Sequence, residues 1–198
     1  VILYLHGFRS SPQSFKARLL EQRLGALGLT HLYRCPQLPA SPKEAAALAH
    51  HVAQEMLGGR DADELTLIGS SLGGYYANWL AERIGCRAVL LNPAVQPPRD
   101  LEKYVGVTTA YHSDDVFEFK HAYIAELREL AVTRITRPER YFLLAATGDE
   151  VLDWREMAAH YAGARQHVID GSDHGISEFA DYLDEVLDFC RIPPAGAA

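Results

Sequence analysis

Leu65-Thr66-Leu67-Ile68 runs without a break into Gly69-Ser70-Ser71-Leu72-Gly73, and from Leu72 to Ile84 apolar residues recur at helical spacing up to Gly85. The first four residues read as a strand and the last thirteen as a helix, so the G-x-S-x-G between them is a tight strand-to-helix turn. Such a turn forces its central residue, Ser71, into strained backbone geometry. Flanking glycines lack the side chains that would collide, and the serine is lifted above the sheet edge with the helix N-terminus facing a substrate. The competing reading is a Gly/Ser-rich turn that binds phosphate or nothing. Neither G-x-G-x-x-G nor a P-loop lysine accompanies it.

On the N-terminal side, residues 1–5 read as a buried strand ended by His6-Gly7, residues 14–27 as a helix stopped by Gly28, and residues 29–35 as a strand leading into a Pro-rich turn at 36–42. Residues 43–57 are Ala-rich, begin after Ser41-Pro42 and stop at Gly58-Gly59, a helix with both end signals. On the C-terminal side, strands are predicted at 87–91, 141–146 and 166–169 and helices at 154–161 and 177–189. Residues 192–198 read as a frayed tail. Six strands alternating with helices imply an α/β fold: a parallel sheet of about six strands covered on both faces, with its ligand site beyond the carboxyl ends of the strands. Residues 97–138 interrupt the rhythm. They are polar, carry a predicted helix at 117–130, and are expected to form a small helical cap packed over the sheet edge within one domain spanning 1–198.

The 198 residues, 48% of them hydrophobic and 23% charged, suit a single core. A net charge of −7 argues against nucleic acid as the main partner. Cys35, Cys86 and Cys190 are far apart and odd in number, and no Cys/His cluster has metal-ligand spacing. They read as reduced thiols in a reducing compartment, hence a cytoplasmic protein. No apolar run reaches membrane-spanning length and no leader segment is evident. The chain opens at Val1 inside a strand pattern, which points to a few preceding residues.

A serine hydroxyl needs a base to take its proton. Of nine histidines, His174 lies in Gly171-Ser172-Asp173-His174-Gly175, just past the last strand and on the same sheet edge as Ser71. His6 is better suited to shaping an oxyanion hole. His31, His50, His51, His160 and His167 fall within elements and default to surface or packing, whereas His112 and His121 are candidates to line a pocket from the insertion. The orienting acid is expected after the strand 141–146, where Thr147-Gly148-Asp149-Glu150-Val151 offers Asp149, with Glu150 and Asp153 as rivals. Asp149 as a helix-terminal acid is the structural alternative. The order Ser71, Asp149, His174 is that of α/β-hydrolases rather than of chymotrypsin or subtilisin types. Two main-chain N–H groups must hold an oxyanion, and Leu72 and Phe8 are the candidates. Tyr104, Val105, Tyr111, Phe117, Phe119 and Tyr123 offer an apolar acyl pocket or plain packing. Arg9 reads first as a solvated surface residue, and second as a lure for an anionic substrate.

The segments His6-Gly7-Phe8-Arg9-Ser10-Ser11-Pro12, Gly69-Ser70-Ser71-Leu72-Gly73-Gly74-Tyr75-Tyr76-Ala77, Leu91-Asn92-Pro93-Ala94, Thr147-Gly148-Asp149-Glu150-Val151-Leu152-Asp153 and Asp173-His174 resemble the small bacterial YqiA/YcfP-type esterases of the α/β-hydrolase superfamily. The resemblance covers nearly the whole chain and is weakest over 97–138. It implies hydrolysis of carboxylic esters, with acyl thioesters as a further class, through Ser71, Asp149 and His174. No cofactor or metal is expected, and the partner is a small-molecule ester or thioester. A thioesterase, another acyl hydrolase or transferase, and a non-catalytic binding protein of the same fold are the alternatives.

Overall fold

In the computed structural model, which describes residues 1–111 and 114–192, the alternation becomes a six-stranded parallel sheet. His112 and residues 193–198 of the expected tail lie outside the described residues. Ile192, placed in that tail, is instead buried against the core.

The strands are β1 (Ile2–Leu5), β2 (Tyr33–Arg34), β3 (Thr66–Ser70), β4 (Arg87–Leu91), β7 (Tyr141–Ala146) and β8 (Arg165–Ile169), in the order β2-β1-β3-β4-β7-β8. Between β4 and β7 the chain forms a separate antiparallel pair, β5 (Gly106–Thr109) and β6 (Val116–Phe119). The helices are α1 (Phe15–Ala26), α2 (Pro42–Leu57), α3 (Leu72–Ile84), α4 (Pro97–Asp100), α5 (Ala122–Glu129), α6 (Trp154–His160) and α7 (Phe179–Phe189). Apolar residues occupy both faces of the central strands because both faces are covered. Ile2, Tyr4, Ile68, Val89, Leu91, Phe142 and Leu144 pack with residues of α1 and α7. Leu3, Leu5, Leu67, Ala88, Leu90 and Leu143 pack on the other side with residues of α2, α3, α5 and α6.

Two sequence expectations change. The strand read over 29–35 shrinks to Tyr33–Arg34, preceded by a single 3-10 turn at Thr30–Leu32. It is an edge strand whose register pairs Ile2 with Tyr33 and Leu3 with Arg34, and Pro36, just beyond it, has no N–H to extend the ladder. The helix read over 117–130 splits into β6 and the shorter α5. Val116-Phe117-Glu118-Phe119 has a period of two that buries Phe119 and exposes Glu118, and it pairs with β5 in the register Gly106–Phe119 to Thr109–Val116. The 97–138 segment is therefore a hairpin with short helices, not a purely helical insertion.

The strand order reverses at β1, with β2 on one side and β3 on the other. In open parallel sheets, ligands bind at such a switch point, beyond the carboxyl ends of the strands. The chain leaves β1 at His6-Gly7 and β3 at Ser71, both at that edge.

Candidate active site

Ser71 is the residue between β3 and α3, with φ 53° and ψ −120°. A serine is held there only because its surroundings over-determine it. Its N–H donates to Leu91 O at 3.1 Å, and its own carbonyl accepts from Gly74 N and Ala94 N, both at 2.9 Å. The glycines of the motif are needed for close approach: a Cβ on Gly73 would stand 1.9 Å from Leu5 O, and one on Gly69 2.4 Å from Gly73 O. The side chain of Ser71 thus stands at the rim of the sheet between the ends of β1, β3 and β4.

His174 Nε2 lies 3.0 Å from Ser71 Oγ, and its Nδ1 lies 2.8 Å from Asp149 Oδ2. The side chain of Asp149 is fully buried, and its other oxygen accepts from Val151 N at 2.8 Å and Leu152 N at 2.9 Å. A carboxylate that collects N–H donors takes the Nδ1 hydrogen as a third, which leaves Nε2 as the ring's acceptor towards the serine hydroxyl. The rivals of Asp149 have other partners. Asp153 caps α6 through Arg155 N at 2.9 Å, and Glu150 Oε2 accepts the main-chain N–H of His174 at 2.9 Å.

The loop after β1 runs beside the serine: a Cβ on Gly7 would lie 3.3 Å from Ser71 Cβ. Leu72 opens α3, so its N–H has no carbonyl to serve within the helix. Phe8 and Leu72 both border the main cavity. His6 is buried and braces this loop. Its Nε2 accepts from Leu38 N at 2.9 Å, which puts the ring hydrogen on Nδ1, 3.0 Å from Gly7 O. The Phe8 ring meets Phe117 and Phe119 edge-on, each at 5.2 Å, and Tyr104 at 5.5 Å. Arg9 is not a free surface group. Its Nε donates to Thr109 O at 2.7 Å, its guanidinium lies 4.4 Å from the Tyr111 ring centre, and its carbonyl accepts from Tyr111 N at 2.8 Å.

A cavity of about 750 Å³ opens over Ser71 and His174. Tyr104 and Tyr111 line it; Phe119 is fully buried, and Phe117 borders a small adjoining recess instead. His121 is exposed and lines neither. Val105 is exposed, and Tyr123 packs on the Phe119 ring at 5.5 Å. Burial pushes the thiols of Cys35, Cys86 and Cys190 up to about 12, so none is a nucleophile near neutral pH. Among the described residues, no helix is long and apolar enough to cross a membrane.

The model of an uncharacterised protein family, UPF0227, matches residues 1–191. The chain belongs to this YqiA/YcfP-like family. Solved structures share its fold. A hydrolase by name from Agrobacterium vitis S4 is 16% identical over 96% of this chain and 87% of its own, with a TM-score of 0.72. Mouse α/β-hydrolase domain-containing protein 10 is 17% identical, covering 94% and 89%, with a TM-score of 0.66. The esterase domain of a Rhodothermus marinus protein is 21% identical, covering 94% and 83%, with a TM-score of 0.63. The likeness at these identities is one of fold, that of the α/β-hydrolase superfamily.

Two residues of this UPF0227 chain escaped the reading of its sequence. Asn92, fully buried at the end of β4 with φ 41°, donates from Nδ2 to Asp173 O and His174 O, each at 3.0 Å, and accepts Ala146 N at 2.8 Å. An Asn-Pro pair closing a strand at the site's edge was its only signal. Lys16 is buried in the first turn of α1, lines the cavity, and donates from Nζ to Gly175 O at 2.6 Å. A lysine facing inward from an amphipathic helix was the available clue.

Proposed function

We propose that this protein is a serine hydrolase of carboxylic esters working through an acyl-enzyme. Ser71 Oγ attacks the ester carbonyl as His174 Nε2 takes its proton. Asp149 holds the imidazole in the tautomer that permits this and balances the imidazolium that forms. The N–H groups of Phe8 and Leu72 receive the oxyanion; loss of one such donor costs about 10²–10³-fold in kcat. His174 then returns the proton to the departing alcohol, and water entering by the same base releases the acid.

The observation that carries this reading is the unbroken run from Ser71 Oγ to His174 Nε2 at 3.0 Å and from His174 Nδ1 to Asp149 Oδ2 at 2.8 Å. The strained backbone of Ser71 and a cavity directly above it support it further. Residues 97–138 act in this scheme as the cap of a single α/β-hydrolase domain, with Tyr104 and Tyr111 as walls of the acyl pocket. Fluorophosphonate labelling followed by peptide mapping tests the assignment. A phosphonyl adduct on Ser71, with hydrolysis of 4-nitrophenyl butyrate lost in Ser71→Ala, is the expected result. An adduct elsewhere, or turnover persisting in Ser71→Ala, refutes it.

A further inference from the structure

Lys16 is 8% exposed, yet no carboxylate forms an ion pair with it among the described residues. Among the described residues its one side-chain hydrogen bond goes to a neutral acceptor, the carbonyl of Gly175. The two acids in electrostatic reach of it are committed elsewhere. Asp149 takes His174 and two main-chain N–H groups, and Asp173 takes Ser177 through both oxygens. An ammonium out of water with no carboxylate in contact is costly, and desolvation outweighs the pull of Asp173 and Asp149 and draws its pKa down to about 8. Such a charge is rarely kept for packing, because an apolar side chain of the same length would fill the space at lower cost.

The position of this cation gives it a use. Lys16 and Gly175 line the same cavity as Ser71 and His174. An ammonium has three donors, and one carbonyl takes only one of them. Ser14, in the same wall, has a buried Oγ that makes no capping bond to α1 and has only the Tyr4 hydroxyl, itself on the cavity wall, within its reach among the described residues. The other charges on the cavity wall are not equivalent. Glu150 accepts the His174 N–H, Asp100 pairs with Arg99 through Oδ1 while its Oδ2 is buried with no partner among the described residues, and Lys103 lies over the Tyr104 ring at 5.2 Å.

We infer that Lys16 is a specificity-determining residue, and that the site takes esters whose acyl or alcohol part carries a carboxylate, paired in the cavity with Lys16 Nζ and the Ser14 hydroxyl. The inference rests on the ester-hydrolase reading for the reaction and on Lys16 alone for the charge of the substrate. A carboxylate arriving there supplies a counter-charge in direct contact, which the folded protein withholds, and a neutral ester does not.

Calorimetric titration of Ser71→Ala with monomethyl glutarate and with dimethyl glutarate tests the charge without turnover. The monoester is expected to bind at least tenfold more tightly, to lose that margin when Lys16→Met is added, and to keep most of it with Lys16→Arg. In the wild type, kcat/KM for 4-nitrophenyl hemiglutarate against 4-nitrophenyl pentanoate probes the acyl side. The pair 4-butyryloxybenzoate and its methyl ester probes the alcohol side. At least one ratio is expected to exceed ten and to fall to about one in Lys16→Met. Because each readout is a ratio within one variant, a loss of activity through a disturbed Gly175 loop does not mimic it. If Lys16→Met fails to fold, the wild-type ratios and the titrations of Ser71→Ala still decide. Equal binding of the two glutarates with both kinetic ratios near one overturns the inference, and turnover of the neutral esters in that case leaves the hydrolase reading standing. Charge-selective binding by a protein that hydrolyses no ester has the opposite meaning: the role of Lys16 survives and that of Ser71 falls.

Discussion

Asn92 reaches from the end of β4 to His174, with Nδ2 donating to the carbonyl of His174 and to that of the residue before it, each at 3.0 Å. One amide thereby fixes the loop that carries the imidazole, while its oxygen holds Ala146 N at the end of β7. Asn92→Ala leaves a buried N–H and two carbonyls without partners. A loss of about 1–3 kcal/mol is expected from urea unfolding, together with slower fluorophosphonate labelling of Ser71. Asn92→Asp keeps the acceptor but turns a carboxylate towards two carbonyl oxygens, so it is expected to label more slowly than Asn92→Ala. Labelling of both variants at the wild-type rate would remove Asn92 from the positioning of His174.

The backbone of Ser71, at φ 53° and ψ −120°, is a conformation glycine adopts at less cost than serine. Ser71→Gly is therefore expected to raise stability by about 1 kcal/mol while abolishing ester turnover, and Ser71→Ala to abolish turnover with no such gain. Chemical denaturation alongside a 4-nitrophenyl butyrate assay checks both. A glycine variant less stable than the alanine variant would mean that the elbow is not strained.

The choice of Asp149 over Glu150 is separable by their different partners. In Asp149→Asn the side-chain oxygen is retained by Val151 N and Leu152 N, so the amide N–H faces His174 Nδ1 and imposes the wrong tautomer. A fall in kcat of about 10³–10⁴-fold is expected. In Glu150→Gln an oxygen still accepts the His174 main-chain N–H, and the fall is expected to stay within about tenfold. Reversal of this ranking would move the orienting role to Glu150.

The depressed pKa of Lys16, about 8 against an ordinary 10.5, makes its contribution to stability depend on pH. Between these values the unfolded chain holds a proton that the native lysine has released, so stability rises with pH across this window and is lost again as pH falls through about 8. Relative to Lys16→Met, the wild type is expected to gain on the order of 3 kcal/mol between pH 8 and 10.5 in urea titrations. The comparison must be differential, because the three thiols with raised pKa act oppositely: their contribution is lost as pH climbs above about 9. A flat difference between the two proteins across that range would show that Lys16 titrates normally.

The sequence made Ser71, His174 and Asp149 visible for a common physical reason. Each sits where a strand of a parallel sheet ends, and such ends all meet at one edge. What it hid were partnerships made only by folding. Lys16 meets Gly175 across 159 positions of chain, and Asn92 meets His174 across 82, with no local pattern to announce either. The 97–138 segment misled for a different reason. Phe119 stands three and four positions before Ala122 and Tyr123 and so joins the helical spacing that runs on to Leu130, whereas Phe117, two residues before Phe119, fits only the two-residue period that pairing with β5 selects.

The bond from Arg9 Nε to Thr109 O, and the one from Tyr111 N back to Arg9 O, fasten the hairpin to the very loop that contains the Phe8 amide. The cavity wall at Tyr111 and the Phe8 amide, the oxyanion donor of the proposed reaction, are thus a single mechanical piece. In the proposed reaction a bulky guest that levers the hairpin upward drags that donor out of register, which couples tolerance for large substrates to rate on small ones until this tie is cut.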